Sequence, residues 1–239
     1  MPEEQYKNVI NRLIYYRKNL GVSQAEMAKL LGITQSEYSK IENGQTRLLH
    51  KHLKALHGNR WDVDYIVTGR QSLCKTGGLR DILAGCTAEE YAQLYVYTIE
   101  NAFLYWDDIF KQQKNLCLYS ELKIQLVMIA NQAEQPEVLR CIRTVLGMNK
   151  KEFGELLDLT RKTYSRCEEG TSQLDTEHIL KLYNNGICSP SFVIDYKHEL
   201  IAGIDYELQA VDSDVRKWFY NKISNELHNI RQLKQITKT

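Results

Sequence analysis

The sequence predicts an all-α protein, and three observations support that fold class. The 239 residues include only three prolines and 13 glycines, which is few for a turn-rich β architecture. Apolar residues recur along most of the chain at the three- and four-residue spacing of amphipathic helices. A stretch near the N-terminus also returns 126 residues later, which indicates a duplicated helical unit.

Five helices are predicted in residues 1–70. The first carries apolar residues at helical spacing and ends at Gly21. The second and third each begin with a capping box, in which Ser or Thr is followed three residues later by Glu: Ser23 with Glu26, and Thr34 with Glu37. The stretches "LLHKHLKALH" and "WDVDYIVTG" predict a fourth helix and a short fifth that ends at Gly69.

The rest of the chain divides into three further segments. Residues 71–135 begin with a small, polar linker, "QSLCKTGG", and continue as two helices, one from the Thr87–Glu90 capping box through Phe110 and one over residues 116–130. Residues 136–200 repeat the pattern of the first segment, starting at Pro136. Residues 201–239 predict one C-terminal amphipathic helix.

The duplication is visible position by position. Leu20–Gly44 aligns with Leu146–Gly170 at an offset of 126 residues, and 10 of the 25 positions are identical. Leucines and a histidine continue the match beyond this segment: Leu48/Leu174, His52/His178 and Leu56/Leu182.

Charge and composition narrow the function classes. The net charge is +1, but residues 1–70 carry 11 Lys and Arg against 7 Asp and Glu, which makes that segment the best candidate for contact with a polyanion. We find no signal peptide and no run of 18 apolar residues, so we expect no membrane partner and a cytoplasmic location. The six cysteines are scattered without a CxxC pair, as expected for reduced thiols.

The second and third helices have the features that a helix-turn-helix requires. Ala28 is small where the two helices touch, and Gly32 allows a left-handed turn between them. Apolar residues from both helices can share one core: Met27, Leu31, Ile33, Tyr38 and Ile41. With Arg17, Gln24, "LGI", "IENG" and "VDYIVTG", residues 9–69 closely resemble the lambda-repressor-like, or Cro/XRE-type, DNA-binding domain.

The resemblance implies specific roles in binding double-stranded DNA. The third helix, residues 34–43, would enter the major groove, with phosphate contacts from the start of the second helix and from the residues after the third. The implied DNA-binding residues are Gln24, Gln35, Ser36, Glu37, Ser39, Lys40, Asn43 and Arg47. Independently of the family, Gln can form hydrogen bonds with adenine, and Ser can form them with either kind of base edge. Lys can bond to guanine or to phosphate. Arg17 and Glu42 are implied to form a structural ion pair, repeated as Arg143 and Glu168.

The second copy keeps the scaffold and changes the face that would contact DNA. Its core positions remain filled, and Asp158 replaces the turn glycine while tolerating a left-handed conformation. Its candidate DNA-binding face is more basic: Lys150, Arg161, Lys162, Thr163 and Arg166. Against DNA contact, Glu169 and Gln173 replace Asn43 and Arg47, where phosphate contacts are expected. The second copy therefore either binds a different DNA sequence or no longer binds DNA.

No pattern in the sequence indicates catalysis, a metal or a cofactor. No nucleophile with a base, phosphate-binding loop or metal-ligand spacing is present, so we expect no enzyme. We interpret His50, His52 and His57 as surface residues of the fourth helix. Cys74 and Cys117 have no indicated activating partner.

We therefore expect a sequence-specific DNA-binding transcription regulator with two tandem helix-turn-helix domains. The acidic helices of residues 71–135 and the C-terminal helix would set their separation and mediate dimerisation. A homodimer, or the two copies of one chain, would occupy two half-sites, and the bound protein would be associated with the nucleoid. The alternative is a DNA-tethered interaction or sensor protein, in which the second copy and the middle helices bind a protein, peptide or small-molecule signal.

Overall fold

The fold described below is that of a computed structural model, which describes residues 3–70, 78–110, 115–130, 138–195 and 199–236. Within these ranges the chain forms sixteen helices and no strand, which confirms the predicted all-α class. The predicted start at Pro136, Cys74 and all but the last residue of the predicted linker lie outside the described residues. None of the described helices combines the length and apolar character that crossing a membrane requires.

The helices follow one another through short connections. In chain order they are α1 (Glu3–Asn19), α2 (Gln24–Leu31), α3 (Gln35–Glu42), α4 (His50–Gly58), α5 (Val63–Thr68), α6 (Leu79–Ala84), α7 (Ala88–Leu104), α8 (Trp106–Ile109), α9 (Leu116–Ala130), α10 (Val138–Val145), α11 (Lys150–Leu156), α12 (Arg161–Glu168), α13 (Thr176–Asn184), α14 (Pro190–Ile194), α15 (Glu199–Gln209) and α16 (Ser213–Ile236).

Contacts between the helices divide the chain into two compact units. The first unit combines Met1–Ser72 with Gln135–Asp195, and the second combines Leu73–Glu134 with Tyr196–Thr239. The four predicted segments are thus grouped in pairs: both copies of the duplicated sequence lie in the first unit, and the middle helices lie with the C-terminal helices in the second.

In the first unit, α1–α5 form the first repeat, residues 3–70, and α10–α14 form the second repeat, residues 138–195. The helices of the first repeat surround a core of fully buried side chains, which includes Val9, Leu13, Met27, Tyr38, Leu53, Leu56 and Ile66. The corresponding core of the second repeat includes Ile142, Phe153, Leu157, Tyr164, Ile179, Leu182 and Phe192. Both cores are apolar enough to drive local folding through burial.

The second unit is a helical bundle in which α7 packs against α9 and α16, and α15 packs against α6 and α9. The prediction of one long helix from Thr87 through Phe110 is wrong, because the structure forms two helices in this segment. Helix α7 ends at Leu104, and α8 begins after Tyr105. The break lies at Tyr105, whose φ of −99° and ψ of 19° depart from helical values, and beyond it Ile109 and Phe110 are 5% and 2% exposed. The non-helical backbone of this one residue ends α7 before Phe110.

Two helices of the second unit were not predicted from the sequence. Helix α6 has only six residues, too few to show a clear period. Helix α15 buries Leu200, Ile204 and Leu208 at four-residue spacing, but it contains Gly203, which lowers helix propensity. A Cβ at Gly203 would lie 3.1 Å from the Leu118 side chain, so close packing accounts for the glycine.

Candidate nucleic-acid interface

The turn between α2 and α3 is built by local hydrogen bonds. Ser23 caps α2 through a capping box with Glu26, and Thr34 caps α3 in the same way with Glu37. Between them Gly32 has φ +66°, a left-handed conformation that glycine adopts without steric cost. The two helices are therefore positioned by residues within a segment of 20 positions, Ser23–Glu42.

Apolar side chains between α2 and α3 hold their relative orientation. Met27 and Ala28 of α2 face Tyr38 and Ile41 of α3, and all four are at most 2% exposed. Ile33, in the turn, is only half-buried and covers the edge of this core. The predicted shared core thus lies directly beneath the outer face of α3.

Arg17 ties α1 to the end of α3. Its Nε donates to Glu42 Oε1 at 2.7 Å, and Nη1 donates to the Val22 carbonyl at 2.7 Å. The Gln24 side-chain amide also donates to Glu42, at 2.5 Å. Burial disfavours the charged form of Glu42, but the hydrogen bonds from Arg17 and Gln24 outweigh it and hold the pKa of Glu42 below its ordinary value.

The residues expected to contact bases lie on the outer face of α3. Gln35, Ser36 and Lys40 are exposed, and no hydrogen bond or ion pair engages their side chains in the part of the chain that the structure describes. Ser39 is half-buried and accepts a hydrogen bond from the exposed Asn43 at 3.4 Å. These five residues offer amide, hydroxyl and ammonium groups on one helix, which is the chemistry of base-edge and phosphate recognition.

Three other predicted DNA-binding residues are engaged within the protein. Glu37 accepts hydrogen bonds from Thr34 N and Oγ1, both at 2.8 Å, and these bonds hold its pKa below the ordinary value. Arg47 pairs with Glu177 Oε1 at 2.7 Å, and its guanidinium lies 4.2 Å from the centre of the Tyr6 ring. Gln24 is the third, through its bond to Glu42. The prediction of DNA contact for these three remains untested.

The second repeat reproduces the same local construction. Asn149 caps α11 through a capping box with Glu152, and Thr160 caps α12. Asp158 occupies the position of Gly32 and has φ +56°, so this turn also contains a left-handed residue. Its carboxylate forms an ion pair with Lys181 of α13, which holds the pKa of Asp158 below its ordinary value. A side-chain contact thus accompanies the strained backbone at this position.

Glu168 is the counterpart of Glu42 and has more cationic neighbours. Its side chain is fully buried, and it accepts hydrogen bonds from Arg143 at 3.1 Å and from Arg140 at 3.2 Å. Lys150, at the position of Gln24, lies 3.9 Å away. Burial opposes ionisation, but the arginine hydrogen bonds prevail and lower the pKa of Glu168.

The outer face of α12 carries the exposed cations Arg161, Lys162 and Arg166. Their side chains have no ion-pair or hydrogen-bond partner within the described ranges. Thr163 is half-buried and shares a hydrogen bond with Thr160 at 2.9 Å. The Lys150 side chain, by contrast, is engaged within the protein and donates to Ser165 at 3.0 Å.

The two repeats pack together through a local two-fold axis that the sequence did not reveal. Leu49 and Asp175, which are equivalent positions at the offset of 126, form an isolated antiparallel bridge with each other. Two backbone hydrogen bonds flank it, each 3.0 Å long: His50 N to the Leu174 carbonyl, and Thr176 N to the Leu48 carbonyl. The offset of 126 exchanges these two bonds, so the axis passes between Leu49 and Asp175.

Side chains from α4, α5, α13 and α14 complete this contact between the repeats. Thr176 Oγ1 donates to the buried Leu48 carbonyl at 2.6 Å. Asp64 accepts hydrogen bonds from Ser191 N at 2.9 Å and from Ser191 Oγ at 2.7 Å. The Arg47–Glu177 pair also joins the two repeats. A sequence search for charged pairs would not find these contacts, because their partners lie more than 120 residues apart.

The expectation that the histidines of α4 are surface residues is wrong for His52. This side chain is 4% exposed, and its Nδ1 accepts a hydrogen bond from Leu49 N at 3.1 Å. His178, its counterpart, accepts the equivalent bond from Asp175 N at 3.2 Å. His50 and His57 are half-buried. In the described ranges, no three His, Cys, Asp or Glu side chains converge as metal ligands, and the five described cysteines form no disulfide.

The second unit contains a cavity of about 370 Å³. Arg80, Leu83 and Ala84 of α6, Tyr91 of α7 and Ile201 of α15 line it. The sequence analysis did not find this cavity, because α6 and α15 were not predicted.

Comparison with known proteins supports part of this construction. A helix-turn-helix family model matches residues 13–56, from the middle of α1 to the middle of α4. No curated protein and no solved structure matches the chain. The match identifies a Cro/XRE-type helix-turn-helix domain in the first repeat and does not extend to the second. Domains of this type are regulatory DNA-binding modules.

Proposed function

We propose that this protein is a sequence-specific DNA-binding transcription regulator that inserts α3 into the major groove. One observation carries the proposal: within a matched helix-turn-helix, Gln35, Ser36 and Lys40 project from the exposed face of a helix whose opposite face is fully buried. This arrangement leaves the polar groups free to bond base edges. Asn43 follows on the same surface and would contact phosphate.

The operator is proposed to contain two half-sites. A local two-fold axis relates the two repeats, and half-sites on a duplex are likewise related by two-fold symmetry. The second recognition helix comes from a second copy of the chain, in a homodimer, or from the second repeat of the same chain.

The test begins with the full chain and a pool of random DNA duplexes. After selection of the bound sequences, affinity is measured by fluorescence anisotropy for the wild type and the variant Gln35→Ala/Ser36→Ala. We expect the variant to lose about 1 to 3 kcal/mol of specific affinity through each lost base contact, with nonspecific affinity unchanged. Asn221→Ala removes an exposed amide from α16 and serves as the matched control. Equal affinities for variant and control would contradict the proposal.

A second candidate function rests on the cavity of the second unit. In this alternative the protein is a DNA-tethered sensor, and a small ligand occupies the cavity. Ala84 is exposed at the lining, so Ala84→Trp narrows the cavity at little cost to folding. If small aromatic compounds raise the melting temperature of the wild type but not of Ala84→Trp, the sensor function is supported. An unchanged melting temperature for both proteins, or an equal rise for both, opposes it.

A further inference from the structure

We propose that one chain of this protein occupies both half-sites of its operator, acting as a covalently joined pseudo-dimer on two unlike half-sites. This inference rests on the proposed DNA-binding function and specifies its stoichiometry and target. It starts from the contact between the repeats, in which Leu49 meets its own counterpart, Asp175. A residue that contacts its equivalent lies on a two-fold axis, as in the isologous interface of a symmetric dimer.

The axis relates the two candidate DNA-binding helices as well as the residues at the contact. Glu42 ends α3 and Glu168 ends α12, and each precedes its bridge residue, Leu49 or Asp175, by the same number of positions. A two-fold operation at this contact therefore exchanges α3 with α12. Operators with two half-sites require this relation between two recognition helices, because the strands of a duplex are antiparallel.

The surface through which the two repeats contact each other is occupied within a single chain. Polar groups at this contact are paired: the buried Leu48 carbonyl accepts from both N and Oγ1 of Thr176, and the half-buried Asp64 accepts two bonds from Ser191. Opening such a contact would leave buried polar atoms without partners. A second chain is consequently not needed to supply a second helix-turn-helix at this surface.

Helix α12 has the chemistry of a DNA-binding helix that differs from α3. Arg161, Lys162 and Arg166 are exposed cations, whereas α3 presents Gln35 and Ser36 at its start. Arginine and lysine favour guanine, and glutamine favours adenine. The two halves of the operator should therefore differ, with guanine contacts in the half-site of the second repeat.

The acidic residue that appeared to oppose DNA contact is compensated in the structure. Glu169 Oε1 accepts a hydrogen bond from Ser165 Oγ at 2.8 Å and lies 3.8 Å from Lys150 Nζ. Lys150 is also 3.9 Å from Glu168. A carboxylate with a nearby ammonium group repels phosphate less than an isolated one, so Glu169 does not cancel the cations of α12.

The experiment uses the full chain and the duplex selected from random DNA. Native mass spectrometry counts the chains bound to each duplex, and anisotropy measures affinity as a function of salt. The variant Arg161→Gln/Lys162→Gln removes two cations from α12. The control Lys217→Gln/Lys222→Gln removes two cations from α16, in the other unit.

We expect one chain per duplex and two dissimilar half-sites. The α12 variant should lose roughly tenfold to hundredfold in affinity for the selected duplex. Its salt dependence should also weaken by about one unit of slope for each lost phosphate contact. Two chains per duplex, a palindromic site, or an α12 variant indistinguishable from the control would each overturn the inference. Failure of the proposed function itself would look different: Gln35→Ala/Ser36→Ala would leave specific affinity unchanged.

Discussion

Replacing Glu168 by glutamine should destabilise the first unit more than the equivalent change at Glu42. The two carboxylates occupy the same position of the two repeats but have different surroundings. Within the described residues Glu42 pairs with one cation, Arg17, whereas Glu168 is shared by Arg143, Arg140 and Lys150. Glutamine keeps the size of the side chain and removes the charge that these arginines require.

The magnitude follows from burial. Removing one partner of a buried ion pair costs about 3 to 5 kcal/mol, because the remaining charge is left uncompensated. The Glu168 side chain is 0% exposed and that of Arg143 is 17% exposed, so this range applies to the pair. Arg140 is 56% exposed, so its ion pair with Glu168 should contribute at most about 0.5 kcal/mol to the free energy of unfolding. We expect Glu168→Gln to cost about 3 to 5 kcal/mol, and Glu42→Gln roughly 0.5 kcal/mol less, because its pair with Arg17 is similarly buried but has no counterpart of Arg140.

The assay is urea unfolding followed by tryptophan fluorescence. The chain has three tryptophans, of which Trp61 belongs to the first unit. It is 6% exposed and packs 5.3 Å from the Tyr16 ring, so its emission should report loss of the core. A background with Trp106→Phe and Trp218→Phe isolates this signal. Glu155→Gln, at a side chain that is 65% exposed, is the matched control and should change stability by less than about 0.5 kcal/mol.

The Glu168→Gln variant also tests how acid changes the stability of the protein. The folded-state pKa of Glu168 is below its ordinary value, so its ionised form stabilises the protein above the unfolded-state pKa of about 4.5. This stabilisation is lost as the pH falls through the folded-state pKa. The difference in unfolding free energy between wild type and Glu168→Gln should therefore shrink below about pH 4.5. A difference that grows with acidification, or a Glu168→Gln cost equal to that of the control, would refute the reasoning.

Three further substitutions test individual contacts by urea unfolding. Gly154→Ala should destabilise by about 1 to 2 kcal/mol, because the added Cβ would lie 2.9 Å from the Leu159 carbonyl; a gain of about 1 kcal/mol would mean that helix propensity dominates. Thr176→Val should cost about 1 kcal/mol by removing the 2.6 Å hydrogen bond to the Leu48 carbonyl, and an unchanged midpoint would contradict that role. Asp158→Gly should be more stable than Asp158→Ala by about 1 kcal/mol, because both lose the same ion pair and only alanine strains the φ of +56°; equal stabilities would exclude backbone strain there.

The local parts of the fold were predictable because their signals lie within a few residues. The capping boxes at Ser23 and Thr34, together with Gly32 between them, specify two short helices and the turn that joins them. The capping box at Thr87 and the range of α9 were likewise predicted from the sequence, and the structure confirms both. Helices α6 and α15 were missed because one is short and the other contains a glycine.

Two features of the structure were not indicated by periodicity. The helix expected through Phe110 breaks after Leu104, and Ile109 and Phe110, at the end of α8, are buried. His52 was expected on the surface, yet it lies in the interior and bonds the start of its own helix. The burial of these residues depends on how neighbouring helices pack, and the residue type alone carries no information about that.

The sequence by itself determined the all-α class and the helix-turn-helix of the first repeat with its exposed polar face on α3, and its self-similarity at an offset of 126 residues predicts a second copy. These features depend on spacing, capping and side-chain chemistry over short distances along the chain. Only the tertiary structure decided that the two repeats face each other across a two-fold axis, and that Arg47 pairs with Glu177 of the other repeat. Such contacts join residues more than 120 positions apart. They leave no periodic signal, because they are selected by the shape and polarity of surfaces that exist only after each repeat has folded.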